Sequence, residues 1–356
     1  MNEDFRNEYI EINSQALMNA NLYYFSHMEE LAALFGQALA DACERVAQMQ
    51  AQGYGDIEYM EVTMLRTRLL MQDYRIPIMV YGSEWYADPA QIQAGEISGD
   101  EIFRYYKDMM KETESLVKKY RAKLPERMLE NCQCMAAGNF WKYADMACRR
   151  AVMGFSAGEM HITDAFCVRV CEYMGYGRVC RRYTPEMEPD ELKKWFDKKE
   201  ETAYRFRDFR GCDLSGCDFS GLDLSECDFS GCILDGCNFE EANLDGTWFD
   251  GSSMKEACLS GAWVSGARFD GANLERAVLA GAHSVCKIND STWIRPDREW
   301  VSFVGCGLHQ ANLTFSAMEE ADFRGADLTG AMMNAVHKEY YELDGVQQGQ
   351  VCFCEY

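Results

Sequence analysis

The sequence predicts an α+β multidomain protein in which an α-helical bundle, residues 1–204, precedes a β-helical solenoid, residues 205–335. Apolar residues recur at helical spacing in the first part, whereas a five-residue repeat fills the second. Glycine usage supports the same division, since most of the 28 glycines follow residue 205. Residues 336–356 lie beyond the repeat and are expected to form a cap or a tail.

Composition disfavours several classes of function. The 356 residues include 35 Lys and Arg and 58 Asp and Glu, so the formal charge is −23, which disfavours direct binding to nucleic acid or to an anionic membrane. Apolar residues make up 48% of the chain, too many for a disordered protein. No apolar run approaches the length of about 18 residues typical of a membrane span, and the first residues are acidic where a signal peptide is basic. The sequence therefore predicts a soluble cytoplasmic protein.

Helical patterns dominate residues 1–204. Apolar residues from Phe25 to Met49 follow the spacing of one long amphipathic helix. Ser98 and Glu101 form a capping box that opens another helix. Beyond the first helix, the predicted helices cover residues 57–72, 100–120, 125–136, 139–153 and 185–203. These helices favour a bundle with a short irregular centre.

The irregular centre of this half concentrates aromatic and charged residues, namely Arg75, Tyr81, Glu84, Trp85 and Tyr86. One interpretation is that they pack in the core. The alternative is a binding cleft, which would make this half a ligand sensor or an enzyme. The cysteines here lack the paired spacing or nearby histidines of a zinc site, and no catalytic motif is present. We therefore predict no catalytic residue, metal or cofactor.

The repeat tract has a period of five residues. Of the sixteen centres reached by steps of five from Phe209 to Ser284, thirteen are Phe or Leu. Five fits neither a helix nor a strand, so the backbone must turn a corner in every repeat. Strict alternation of Phe and Leu up to Phe249 favours four sides and a square coil of twenty residues. The predicted core centres are Phe209, Leu214, Phe219, Leu224, Phe229, Leu234, Phe239, Leu244, Phe249, Phe269 and Leu274.

Five cysteines occupy the position two residues before a centre, where Ala stands later in the tract: Cys212, Cys217, Cys227, Cys232 and Cys237. We expect them to act as small buried residues. Two pairs would stack one coil apart, so an oxidised pair is the alternative.

The tract resembles the pentapeptide-repeat family, whose pattern is A(D/N)LXX. Residues 321–331, ADFRGADLTGA, and residues 271–282, GANLERAVLAGA, match this pattern closely. The resemblance implies a right-handed quadrilateral β-helix over about 205–335. It implies less about function, since one repeat scaffold supports many roles.

An irregular segment, residues 285–302, interrupts the repeat. Phe303 follows Ser284 by 19 residues, one fewer than a full coil. Two interpretations stay open: a projecting loop that contacts a partner, and a distorted coil whose tryptophans pack. The unusual residues of this segment include Trp293, Arg295, Arg298 and Trp300.

Charge provides the basis for the functional prediction. From residue 205 onward there are 11 Lys and Arg and 25 Asp and Glu, so the charge is 11 − 25 = −14. Asp250 and Asp270 are predicted to lie one above the other, and carboxylates repeating along a rigid rod resemble the charge outline of duplex DNA. The broad prediction is a non-catalytic interaction protein. Its candidate partner-binding residues are Asp250, Asp270, Trp293, Arg295, Arg298 and Trp300.

The family resemblance makes this prediction more specific. The quinolone-resistance and other topoisomerase-protecting members bind DNA gyrase as DNA mimics. The resemblance therefore implies that a type II topoisomerase or another DNA-binding protein is the partner. The aromatic tail after Met333 either caps the open end of the solenoid or forms a homodimer contact.

Overall fold

The computed structural model describes residues 3–87, 92–173, 177–184, 187–200, 203–284, 300–318, 321–338 and 341–355. The chain forms two compact units, of which the first ends at Arg181 and the second begins at Arg182. Residues 182–204, expected in the first domain, therefore belong with the repeat. Within the described ranges, no helix combines the length and apolarity needed to cross a membrane.

The first unit combines helices with a mixed five-stranded sheet. Strand β1 is central, antiparallel to β2 and parallel to β4, in the order β3-β2-β1-β4-β5. Helix α1, kinked at His27, packs against α3, α4 and β3. The bounds are α1 (Glu3–Gln50), β1 (Ile57–Met64), α2 (Arg66–Leu70), β2 (Arg75–Tyr81), β3 (Ile92–Ser98), α3 (Arg104–Tyr120), α4 (Met128–Val152), β4 (Ile162–Glu172) and β5 (Gly177–Arg182).

The expected all-helical bundle is wrong, because this unit is built around a sheet. Residues 57–72, predicted as one helix, form β1 and the short α2. The β-branched and aromatic residues of β1 pair with β2 and with the much later β4, and local spacing does not show such partners. The helices predicted over 125–136 and 139–153 form the single helix α4, since its apolar face continues through the buried Phe140.

The repeat unit is a solenoid in which each coil pairs in parallel with the next. Asp208 pairs with Asp228, twenty residues later, and the same step recurs on all four sides of the coil. The second residue after a centre forms the corner of the coil and has a left-handed backbone conformation, as at Gly211 with φ 70°. Where Glu226, Glu241 and Phe315 replace glycine, φ stays between 55° and 59°. The preference for glycine at this position thus follows from its freedom to adopt positive φ.

The centres fill the interior of the solenoid. All eleven predicted core centres are at most 1% exposed. On the first side, six phenylalanine rings stack in one column with successive centroids 4.9–5.5 Å apart. These rings belong to Phe209, Phe229, Phe249, Phe269, Phe303 and Phe323.

The interior cysteines are free thiols that pack and donate hydrogen bonds. The Cys232 thiol donates to the carbonyl of Phe209 at 2.8 Å, and the Thr247 hydroxyl donates to Leu224 in the same geometry. Burial raises the pKa of Cys232 and Cys237 to about 12. Cys217 and Cys227 are also buried, whereas Cys212 is half-buried.

Both ends of the solenoid are covered by its own chain. At the start, Phe196 of helix α5 (Pro189–Asp197) packs on Phe209 and Phe219, with centroids 5.1 and 4.8 Å away. At the other end lies helix α6 (Gly345–Gln350). The side-chain amide of its Gln347 donates to the carbonyls of Phe323 and Ala326 in the last coil. Strand β6 (Met332–Asn334) pairs in parallel with β7 (Cys352–Cys354). The tail therefore forms a cap.

The coils on either side of the irregular segment pair directly. Arg268 pairs with Ser302, 34 residues later, and His283 pairs with Ala317 at the same separation. The usual separation between paired residues is twenty, so fourteen extra residues (34 − 20) lie between these two adjacent coils. The series of parallel bridges continues from one coil to the next without a missing pair. The choice between a projecting loop and a distorted coil depends on the residues between these two coils. Residues 285–299 themselves lie outside the described residues.

Candidate interaction surface of the repeat unit

The residue before each centre lies in one straight row on each side of the solenoid, and apart from the buried Asp228 these residues are exposed or half-buried. We number the sides from the phenylalanine column. The outward rows are Asp208, Asp228, Trp248, Arg268, Ser302 and Asp322 on side 1; Asp213, Ile233, Ser253, Asn273, Gly307 and Asp327 on side 2; Asp218, Asn238, Cys258, Val278, Asn312 and Met332 on side 3; and Asp223, Asn243, Trp263, His283 and Ala317 on side 4. These rows are the candidate interaction surface.

Many carboxylates in these rows stabilise turns. The Oδ1 atom of Asp213 accepts the backbone N–H of Ser215 at 3.0 Å, and Asn243 accepts that of Asp245 at 3.2 Å. Because an amide oxygen serves as well as a carboxylate, this contact does not need the charge. An Asp at this position is therefore explained by the turn without invoking a binding role.

Basic residues neutralise part of the acidic outline. Arg210 pairs with Asp208 at 2.6 Å and lies 3.5 Å from Asp228. Lys199 pairs with Asp218 at 2.9 Å. Hydrogen bonds from Lys199 and from Ser220 lower the pKa of Asp218 to about 2. Side 1 in particular is less negative than its sequence suggests.

Asp250 and Asp270 lie one coil apart, with Arg268 between them. The Nη2 atom of Arg268 is 2.8 Å from Asp250 and 3.2 Å from Asp270, while the guanidinium lies 4.4 Å from the ring centroid of Trp248. Asp270 also accepts hydrogen bonds from the Ser302 hydroxyl and from the backbone N–H of Val304, the latter at 3.1 Å. These two carboxylates thus join adjacent coils and share one positive charge.

Arg268 was not among the predicted site residues, although it lies only two residues before Asp270. Arg268 precedes the centre Phe269 and therefore stacks directly above Trp248. Listing every residue of this row, rather than the acidic ones alone, would have shown a basic residue one coil above Trp248. The contact of Arg268 with both carboxylates is visible only in the structure.

Side 4 differs from the other sides because it exposes aromatic residues. Trp263 is 43% exposed, and its ring lies 3.9 Å from that of His283 in an edge-on arrangement. The Nδ1–H of His283 donates to the carbonyl of Gly281 at 3.2 Å, and the Nε2 atom takes no part in that hydrogen bond. Phe315, at the adjacent corner, is 60% exposed. We call Glu241, Trp263, His283 and Phe315 the aromatic notch.

Of the candidate residues in the irregular segment, Trp300 lies at the corner before side 1 and is 44% exposed. Its position places it two residues before Ser302, at the start of a coil. Three other candidates, Trp293, Arg295 and Arg298, lie outside the described residues.

The structure does not bring Arg75 and Trp85 into one cleft. They flank opposite ends of the seven-residue β2, which at about 3.4 Å per residue separates its ends by roughly 20 Å. The Nε and Nη2 atoms of Arg75 each donate to the Asp73 carboxylate at 2.8 Å. These hydrogen bonds lower the pKa of Asp73 to about 2. The Trp85 indole donates to Glu61 at 3.0 Å. Both side chains therefore have partners within the first unit.

Two neighbouring residues of the expected cleft also differ in their surroundings. Tyr81 is buried, whereas Glu84 is exposed. The side chain of Tyr86 lies outside the described part. Among residues that the structure describes, no group of His, Cys, Asp and Glu is arranged to hold a metal ion.

Two family models, both described as pentapeptide repeats, match the second unit. One matches residues 208–248 with nine copies, and the other matches 232–271, 257–283 and 302–336 with eight copies. No curated protein gives a significant match. The family is thus identified from the repeat itself.

Several solved structures are similar to part of this chain. A pentapeptide repeat protein from the thylakoid lumen of Arabidopsis thaliana is 30% identical, over 39% of this chain and 74% of that one, with a TM-score of 0.22. A pentapeptide repeat protein from the cyanobacterium Cyanothece 51142 is 19% identical, over 33% and 85%, with a TM-score of 0.24. QnrB1, a plasmid-mediated fluoroquinolone resistance protein, is 22% identical, over 38% and 67%, with a TM-score of 0.24. At these TM-scores the likenesses carry no functional argument.

Proposed function

This chain belongs to the pentapeptide-repeat family, and from that premise we propose that it is a non-catalytic protein-interaction scaffold. One observation carries the proposal: a filled interior supports outward rows whose residues are fixed at the spacing of the coils. The stacked rings set that spacing at about 5 Å. A surface that is ordered before a partner arrives loses less conformational entropy on binding than a flexible one.

We assign this scaffold to the right-handed quadrilateral β-helix. The twenty-residue step of the bridges supports four sides. Every coil also pairs in parallel with the next, and connections between parallel strands of one sheet are almost always right-handed.

Single substitutions on separate sides test the scaffold proposal. Ile233→Asn, Val278→Asn and Trp263→Asn each introduce a residue that already occurs in the same row, at Asn273, Asn312 and Asn243. Each variant should therefore keep the ladder, which circular dichroism and thermal unfolding would check.

The wild type and the three variants are incubated with an extract of the native organism, cross-linked and analysed by quantitative mass spectrometry. We expect a protein recovered in near-equimolar amount with the wild type and at least fivefold depleted with the variant on the binding side. No recovered protein would contradict the proposal, and recovery unchanged by all three variants would contradict binding through sides 2, 3 and 4.

A narrower proposal concerns the partner, a type II topoisomerase or another DNA-binding protein. The charge of −14 from residue 205 onward supports it, because proteins that hold DNA present positive surfaces. The ion pairs of Arg268 with Asp250 and Asp270 reduce the contribution of side 1. DNA mimicry would consequently depend on carboxylates elsewhere, such as Glu240 and Glu241 at the corner before side 4.

DNA supercoiling by gyrase, measured with and without a fluoroquinolone, tests this partner. Micromolar protein should inhibit supercoiling or protect gyrase from the drug. A Glu240→Gln/Glu241→Gln variant should lose most of this effect, and an Asp250→Asn/Asp270→Asn variant should lose less. No effect of the wild type would contradict gyrase as the partner and leave the scaffold proposal to the cross-linking experiment.

A further inference from the structure

We infer that the aromatic notch on side 4 is a docking surface for an extended, arginine- or lysine-bearing segment of a partner protein. The inference deepens the proposed scaffold function and rests on it. It depends on the placement of four residues along one edge of the solenoid.

The corner between sides 3 and 4 forms the floor of the notch. Successive coils place Glu241, Gly261, Gly281 and Phe315 in this corner, because His283 pairs with Ala317 and Trp263 with His283. Gly281 leaves room for a side chain, since a Cβ atom built there would make only an ordinary van der Waals contact with the backbone of Gly261, 3.9 Å away. Two glycines thus leave a gap between an acidic and an aromatic side chain.

The carboxylate end of the notch leans toward the aromatic residues. A Cβ atom built on Gly261 would lie 3.5 Å from Cγ of Glu241, so that side chain runs along the corner toward the coil of Trp263. Glu240 and Glu241 are both exposed. A cation that enters here meets negative charge and an aromatic surface together.

The aromatic wall suits a cation better than a purely apolar partner. A guanidinium or ammonium group over the face of a tryptophan gains about 0.5–2 kcal/mol. Trp263 keeps 43% of its surface exposed while His283 holds it edge-on. The His283 ring is itself fixed by its bond to Gly281, so the wall is ordered before binding.

Backbone strain at the far end of the notch is consistent with a function for the side chain there. Phe315 adopts φ 58°, at a corner where the two preceding coils have Gly261 and Gly281. A bulky residue in this conformation costs free energy, and such strain is concentrated at functional sites. Phe315 is also 60% exposed, which supplies an apolar contact beyond the cation.

The length of the notch favours an extended segment. Glu241 and Phe315 are three coil steps apart, roughly 14 Å at the usual strand spacing of about 4.8 Å. An extended chain advances about 3.4 Å per residue, so about four residues span that distance. The charge of −14 from residue 205 onward favours a basic rather than an acidic segment.

The test uses the full chain and a fluorescein-labelled octapeptide of alternating arginine and glycine, measured by fluorescence anisotropy in 50 mM salt. Two variants remove the notch with residues that the neighbouring coils already contain: Trp263→Asn, as at Asn243, and Glu241→Gly, as at Gly221 and Gly261. The matched control is Glu256→Gly. It removes one glutamate with φ 59° from the corner between sides 2 and 3.

We expect each notch variant to weaken peptide binding at least fivefold, whereas Glu256→Gly changes it less than twofold. Equal weakening by Glu241→Gly and Glu256→Gly, with little effect of Trp263→Asn, would show attraction to overall charge and overturn the inference. Absence of binding by the wild type at 100 μM peptide would also overturn it. Neither result touches the scaffold proposal, because the cross-linking experiment also reads partners on sides 2 and 3.

Discussion

The two units differ in how far apart their contacting residues lie in the sequence. In the repeat unit, the partner of an outward residue is usually twenty residues away, as for Asn243 and Trp263. In the first unit, β1 pairs with a strand more than one hundred residues later, Ile57 with Ile162. A solenoid is stabilised mainly by contacts between neighbouring coils, whereas a sheet with distant partners forms one cooperative core. A defect should therefore stay local in the repeat unit and spread in the first unit.

The units also differ in where they place charge. In each described ion pair of the repeat unit at least one side chain is 26% exposed or more, as between Lys199 and Asp218. The first unit contains a buried ion pair between Glu61 and Arg169. Glu61 is 0% exposed, and its carboxylate accepts hydrogen bonds from Arg169 at 3.1 Å, from the Trp85 indole at 3.0 Å and from the Cys171 thiol at 3.3 Å. Buried charge makes an interior intolerant of change, because a charge that loses its partner stays desolvated.

The largest expected effect comes from Phe249→Ala in the phenylalanine column. Phe249 is fully buried and stacks on Phe229 at 5.5 Å and on Phe269 at 4.9 Å. Removing a buried phenylalanine costs about 3–5 kcal/mol. Hydrogen exchange should accelerate in the coils that contact residue 249, while the coil of Phe323 stays protected.

Phe249→Leu is the control, since leucine fills the centres of other sides and the cavity is smaller. It should show the same local pattern at lower amplitude. Equal acceleration throughout the repeat unit would mean that the solenoid unfolds as one cooperative body, and the contrast between the two units would fail.

The repeat unit was predictable because each of its residues has a nearby counterpart. The period of five placed the centres Phe209 to Leu274 in the interior, where they lie. It also placed Asp250 and Asp270 one coil apart. It did not reveal the sharing of Arg268 between them, because that contact depends on side-chain reach across a corner.

The first unit was less predictable for a physical reason. The sequence pattern predicted helix α3 and the second half of the long helix α1, from Phe25 onward, but not residues 3–24 of α1. Helix α3 begins at Arg104, so the predicted capping box of Ser98 and Glu101 is wrong. Strand β1 was assigned to a helix because Met60, Val62 and Met64 are apolar in either structure, and only pairing with β2 and β4 selects the strand. The aromatic notch was missed because Trp263, His283 and Phe315 are adjacent only after the coils are stacked.

A smaller effect is expected from Glu61→Gln, which tests the buried charge. Glutamine keeps an acceptor for the Trp85 indole but removes the charge opposite Arg169, whose side chain is 11% exposed. We expect a loss of about 2–3 kcal/mol in the free energy of unfolding in urea. Hydrogen exchange should accelerate across the whole sheet.

Glu172→Gln provides the surface comparison in the same unit. Its partner Arg66 and Glu172 itself are 45% and 37% exposed, and the pair is 2.7 Å apart. We expect a loss below about 1 kcal/mol. Losses of equal size for the two variants would contradict the argument that burial makes the first unit sensitive to charge removal.

The smallest expected effect concerns the surface pair Asp218 and Lys199 of the repeat unit. Asp218 has a pKa of about 2 in the folded protein, below its ordinary 3.8, because Lys199 and Ser220 donate to it. A lowered pKa stabilises the fold above about pH 4, and this stabilisation is lost as the pH falls from 3.8 toward 2. Solvent screening of this half-exposed pair limits the contribution to about 0.5 kcal/mol.

Asp218→Asn keeps the Oδ1 acceptor for the backbone N–H of Ser220 and removes the charge together with the Oδ2 acceptor for Lys199. Urea unfolding at pH 7 should therefore show a loss of about 0.5 kcal/mol, and the decline in stability between pH 4 and pH 2 should become shallower. A double-mutant cycle with Lys199→Gln isolates the pair from the turn. A coupling above about 2 kcal/mol would contradict the account, because a surface pair would then stabilise the solenoid as strongly as the buried Glu61 stabilises the sheet.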